Sequence, residues 1–292
     1  MTELEESRLN NLEDHYCIMY AILGRTLMEE FATDGEAILR QGTRYYGQNR
    51  GTIHRQKHLD AGMKINMYNL FTSGGDLPGD TRTFREAQRL NEEERVSHTL
   101  TCPMADIWGA YGCMDIGRIY CEEFHCACYS TYAYGYTKVN IAKTLTQEGD
   151  DYCSFNVVLR KADLPEELQP VCFEEFDPDY VPPEKVSLPV PGAKEGYRSL
   201  WLRLYYFLLQ AAVEQKQEEG RKAIEKGLQK LAETVAEAFK KQQGSIDKEF
   251  LEENYPLNLD TGQEPMWKDY GKNGAKELAE EAFIKPLLAK CL

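Results

Sequence analysis

Cys121 and His125 stand four residues apart in a stretch that reads as helix, so one face presents a thiol and an imidazole about a turn apart. Cys128 lies close to that face, and Gly117, one turn before Cys121, leaves room above the thiol. Such a pair has two chemical uses. A thiolate–imidazolium pair supplies a nucleophile near neutral pH. Alternatively the pair could bind a transition metal, with Cys102, Cys126 or Cys153 joining from neighbouring elements. The competing reading is that small thiols fill a core, since free cysteine is among the most buried residue types.

Other chemistry-bearing residues surround this pair. Asp115 is a candidate to orient a base or meet a substrate amine, and Arg118 could grip a carboxylate with two prongs, unless it forms a surface salt bridge. His98 shares strand parity with Leu100 and Cys102, which predicts that it faces inward. Asp150 and Asp151 follow Gly149 in a turn, where Asp serves the backbone. His54 and His58, among Arg50, Arg55 and Lys57, read as a solvated helix face.

The composition narrows the class of function. A formal net charge of -14 argues against a nucleic-acid partner, and no apolar run approaches the ~20 residues that span a bilayer. The acidic opening MTELEESRLNNLEDH reads as neither a secretory signal nor a transit peptide, so the expected compartment is cytoplasmic, with reduced thiols despite nine cysteines. GxxxxGK[ST], GxGxxG, GxSxG and HExxH are absent, which disfavours the familiar nucleotide and serine-hydrolase chemistries. The expected partner is a small molecule; composition and spacing leave the oligomeric state and any cofactor open.

The elements that position these residues follow from periodicity. Residues 12–31 and a glycine-containing run capped by Asp34 predict two helices; Gly42, Gly47 and Gly51 suggest close helix packing or backbone approach to a ligand. A short helix should end in a loop at Gly74-Gly75 and Pro78-Gly79. Then come strands near 83–90 and 96–102, one or two helices over 104–133, and strands over 138–145 and 152–159. Two further helices, 198–218 and 221–243, echo the first two at an offset of 186 residues. The tail should be irregular to Asn273, then one helix ending near Pro286.

The expected fold is α+β: helical hairpins with a small antiparallel sheet module, helix-rich throughout. The expected organisation is an N-terminal helical region (1–80), a central cysteine-rich α+β module (81–163), a connecting segment on the surface (164–196) and a C-terminal helical region (197–292), a candidate degenerate repeat of the first.

Several of these residues carry a family resemblance. Gly35-Glu36-Ala37-Ile38, Tyr46-Gly47-Gln48-Asn49-Arg50-Gly51, Cys102-Pro103, Gly112, Gly117, Tyr120-Cys121, Tyr129, and Leu145 to Gly149-Asp150 followed by Cys153-Ser154-Phe155 resemble the L-2-amino-thiazoline-4-carboxylic acid hydrolase family. The resemblance covers roughly residues 12–160. It implies hydrolytic opening of a small cyclic amidine or amide, with water adding at the carbon between sulfur and nitrogen. The roles expected are Cys121 as nucleophile or metal ligand, His125 as general acid/base and Asp115 as orienting acid. Arg118, His98, Tyr120, Cys102 and Cys153 would bind substrate. The stretch from Gly149 to Phe155 also resembles vinyl-reductase-type small-molecule-binding domains, which implies a ligand-binding or sensor module instead. A ring isomerase or lyase on the same scaffold is a third reading.

Overall fold

The structure, a computed structural model, describes residues 2–73, 79–184, 188–255 and 274–292. The turn expected at Gly74-Gly75 and Pro78, and the tail from 256 to Asn273, lie outside the described residues. In chain order the elements are α1 (Glu3–Phe31), α2 (Thr33–Asp60), α3 (Met67–Thr72), β1 (Phe84–Leu90) and β2 (Glu94–Thr101). Then come α4 (Pro103–Ala110), α5 (Met114–Tyr132), β3 (Lys138–Lys143) and β4 (Cys153–Val158). α6 (Gln169–Cys172), α7 (Ala193–Gln243) and α8 (Lys248–Asn254) follow. A last helical stretch joins Ala275–Ala279 to Lys285–Cys291 through a π-helical turn, and Pro286 lies inside it rather than ending it. The fold is α+β and helix-rich, with one small antiparallel sheet.

Two compact units interleave along the chain. The first takes Met1–Thr43, Asp106–Gly117 and Gly192–Leu292; the second takes Arg44–Ala105 and Arg118–Pro191.

In the first unit two helical hairpins share one turn. α1 opens on a capping box between Thr2 and Glu5 and ends at Ala32, whose φ is 49 and ψ -122. Asp34 lies in the first turn of α2 rather than capping it, and its carboxylate meets Lys216 Nζ at 2.6 Å. α7 breaks at Gln217 with nearly the same backbone, φ 51 and ψ -125. Three residues after each break comes a glycine pressed on the preceding helix. A Cβ at Gly35 would lie 2.1 Å from the Leu27 carbonyl oxygen, and one at Gly220 2.1 Å from that of Ala212. The structural interval is therefore 185 residues, one fewer than side-chain patterning gives. The interval also relates a contact: Gly42 packs on Leu208, and its counterpart Gly227 packs on Leu23. Buried Trp201, Tyr205, Phe239, Tyr255 and Phe283 fill out this core.

In the second unit the strands lie in the order β1-β2-β4-β3, all antiparallel. The part of α5 in this unit covers one sheet face, with the His125 ring 4.8 Å from that of Phe155. α2 crosses α5 closely: a Cβ at Gly47 would meet Phe124 O at 2.8 Å, and one at Gly51 would meet Cys128 O at 2.2 Å. These glycines serve helix packing. The segment expected on the surface is anchored inward, since Leu164, Cys172 and Phe173 join a core with Ile65, Met67, Tyr132 and Val157.

Candidate functional site

The site is assembled within the second unit from α5, the covered sheet face and one turn of α2. Helical spacing puts Cys121, His125 and Tyr129 in one stripe of α5. β2 supplies Arg95, Ser97 and Thr99, all buried, and β4 supplies Cys153 and Phe155. These positions pair in register, Ser97 opposite Phe155 and Thr99 opposite Cys153, so they share a face. α2 contributes Arg50, whose guanidinium lies 5.0 Å from the Phe124 ring centroid.

The helix places Cys121 and His125 as its spacing requires, but the two side chains do not form a catalytic pair. His125 Nδ1 lies 3.0 Å from the Cys121 carbonyl oxygen. A carbonyl only accepts, so Nδ1 carries the hydrogen and the lone pair sits on Nε2. The thiol instead accepts from Thr146 Oγ1 at 4.0 Å. Burial, reinforced by neighbouring Cys102 and Cys153, pushes the Cys121 thiol up, away from the thiolate a nucleophile needs. Gly117, expected to leave room above Cys121, belongs to the first unit and serves packing there. A Cβ at Gly117 would lie 2.3 Å from the Trp108 ring, so Gly117 admits an indole.

Burial lowers His125 to about 4, and Arg85, Arg95 and Arg50 push it the same way against the Cys121 carbonyl. His125 is neutral at physiological pH. Its side chain and that of Tyr129 nevertheless keep accessible surface. The partly accessible stripe of His125 and Tyr129, with the strand residues it faces, is the candidate recess. Nε2 has no hydrogen-bond partner among the described residues, which leaves it available as an acceptor. Tyr129 is raised mainly by burial, so its hydroxyl stays protonated and can donate.

The remaining candidates fall into two groups. Tyr120, buried and stacked on Phe124 at 5.0 Å, and Cys153, which accepts from the Leu145 amide at 3.3 Å, lie in the same unit as the stripe. Cys102, just before α4, is close enough to Cys121 to influence its titration. Three others are engaged elsewhere. Asp115 belongs to the first unit and accepts from Arg25 Nη2 at 2.7 Å. Arg118 is exposed and tied to Glu122 at 2.7 Å, the surface salt bridge weighed against its anchoring role. His98 faces away from α5 and stacks on Tyr152 at 4.7 Å. The parity was inverted because the buried face of β2 is the polar one, Arg95-Ser97-Thr99, while Leu100 is exposed.

Sequence reasoning missed Arg95 and Arg85 and set Arg50 aside as surface. The available signal was the alternation of Arg95 with Ser97 and Thr99, small polar residues at the parity of a strand's covered face. Among the described residues no group of three or more His, Cys, Asp or Glu side chains is placed to hold a metal ion. Nor is any helix there long and apolar enough to cross a membrane.

A family model described as L-2-amino-thiazoline-4-carboxylic acid hydrolase matches residues 11–157, just over half of the chain. The chain belongs to this family. In this hydrolase family member the matched span takes in α1 from residue 11 onward, α2, the whole sheet but for the end of β4, and all of the α5 stripe. α7 and everything after it lie beyond the match. No curated protein and no solved structure matches the chain.

Proposed function

We propose that the chain is a hydrolase that opens a small cyclic amidine or amide, with His125 as the general base and water as the nucleophile. The observation that carries this reading is the bond from His125 Nδ1 to the Cys121 carbonyl, which fixes the neutral tautomer and leaves Nε2 open. In the forward step a water oxygen bonds to the ring carbon between the heteroatoms, the π pair of the attacked C=N or C=O bond moves onto its heteroatom, and the water's proton passes to Nε2. The tetrahedral carbon then collapses, breaking its bond to the ring sulfur or nitrogen. The imidazolium returns the proton to that departing atom. The Tyr129 hydroxyl is the donor available to the charge that develops meanwhile. Cys121 orients His125 through its backbone carbonyl, and its sulfur has no covalent part.

The test is incubation with L-2-amino-thiazoline-4-carboxylic acid, the compound in the family's name, followed by mass spectrometry. A product one water heavier is expected, with Cys121→Ala retaining turnover and His125→Gln losing about 10²–10⁴-fold. Recovery of unchanged compound that nonetheless raises the melting temperature would replace the hydrolase with a binding module.

A further inference from the structure

Arg95 stands out among the described residues. It is 8% exposed, yet among the described residues it has neither an ion-pair nor a hydrogen-bond partner. Its guanidinium rests on the Phe71 ring at 4.1 Å, a contact worth only part of what the lost hydration costs. Burial accordingly lowers its hold on its proton. Arg85, paired through strand register with Thr99, donates to Thr99 Oγ1 at 2.9 Å and likewise has no carboxylate among the described residues. Arg50 approaches from α2 and is held by Tyr46 and Phe124. The nearby α5 carboxylates are occupied: Glu122 with Arg118, and Glu123 with Arg44 at 2.5 Å. Arg95 and Arg85 therefore lie on the sheet face that His125 covers with no carboxylate among the described residues to balance either, and Arg50 approaches α5 from α2.

We propose that Arg95, supported by Arg85 and Arg50, binds the carboxylate of the ligand, and that only the filled site has His125 ready to take a proton from water. The proposal rests on the hydrolase reading above and adds the anchor and its coupling to the base. Buried cations are retained when they are paired, and a carboxylate matches the guanidinium fork with two parallel hydrogen bonds. The electrostatics follow from the same geometry. From outside its own helix His125 is faced by Arg50 of α2, Arg85 of β1 and Arg95 of β2; on α5 it is faced by Tyr120, Tyr129 and the Cys121 carbonyl, and the Cys153 thiol of β4 lies on the covered face. The cations oppose an imidazolium, and an anion bound among them offsets that opposition. The empty site thus holds a weak base and the occupied site a stronger one. By linkage the ligand acid binds more tightly as pH falls toward the His125 midpoint.

The test uses thiazolidine-4-carboxylate, a saturated ring acid with no amidine carbon to attack, and its neutral carboxamide. Calorimetry should show the acid binding about tenfold or more tightly than the carboxamide, with Arg95→Gln abolishing the preference. Because Arg95→Gln removes a buried unpaired charge, its melting temperature should equal or exceed that of the unmodified protein. Proton NMR of the histidine ring, assigned by loss of the signal in His125→Gln, should show the His125 midpoint rising by about one pH unit or more when the acid saturates the site. Should Arg95→Gln fail to fold, the exposed Arg85→Gln takes its place: weaker acid binding and a higher His125 midpoint in the free protein are expected. Equal binding of acid and carboxamide, undiminished acid binding in both arginine variants, or an unmoved His125 midpoint would overturn the proposal. The two readings fail separately. Ring opening that ignores the carboxylate sinks the anion subsite alone, whereas arginine-dependent binding without ring opening sinks the hydrolase alone.

Discussion

At the 185-residue interval, Tyr46, Gly47, Arg50, Gly51 and His54 of α2 correspond to Leu231, Ala232, Val235, Ala236 and Phe239 of α7. The two hairpins turn through the same backbone and press matching glycines on each other's first helix, yet beyond the turn their chemistry diverges. Every one of those five α7 positions is buried and apolar. The α2 positions keep small residues, where α5 approaches, and an arginine, where the recess lies. A packing element tolerates a uniform apolar stripe. A site-lining element needs gaps for a crossing backbone and a charge at one edge, and those demands override the stripe.

Exchanging residues between the hairpins breaks or sharpens this contrast. The largest effect is expected at Gly51→Ala, where the new methyl would sit 2.2 Å from the Cys128 carbonyl oxygen. A loss of about 3 kcal/mol, the upper end for overpacking, should appear in chemical denaturation. The reverse exchange, Ala236→Gly, should cost about 2 kcal/mol, from helix propensity and the loss of one buried methyl.

Acid should separate the units next. Burial lowers His15 of the first unit to about 3, and His58 and His125 of the second to about 4. Between about pH 6.5 and 4 the unfolded chain binds protons that the folded chain refuses, so stability is lost as pH falls. Each histidine contributes about 1.4 kcal/mol per pH unit, and amide exchange should quicken more in the second unit, which holds two.

Arg50→Val installs the residue of the silent hairpin. It should lower kcat/KM about tenfold while stability stays within about 0.5 kcal/mol. An unchanged kcat/KM would remove α2 from the site. The smallest effect is expected to be shared. Ala32→Gly and Gln217→Gly each relieve a positive φ, and each should raise stability by about 0.5–1 kcal/mol in thermal melts. A gain at only one of them would separate the two turns.

Much of the secondary structure was legible because it rests on local periodicity. The alternation from Val96, the Gly149 turn and the glycines of α2 all correspond to elements seen. Two features misled because they depend on distant partners. The parity reading of β2 rests on the ordinary assumption that apolar side chains point inward; here the covered face carries Arg95, Ser97 and Thr99, and functional surfaces are where that pattern breaks. Likewise Gly117 reads as room above Cys121, whereas the missing Cβ admits the Trp108 ring.

The chain's own letters determined the family, the helix-rich α+β character and the presence of Cys121 and His125 on one helical stripe, since each depends on residue types at fixed short spacings. Tertiary structure alone decided which atom of that stripe is available. The Cys121 carbonyl takes Nδ1, burial silences the thiol, and arginines from α2, β1 and β2 oppose an imidazolium at His125. Hydrogen-bond direction and electrostatic field are properties of neighbours in space, and no spacing along the chain encodes them.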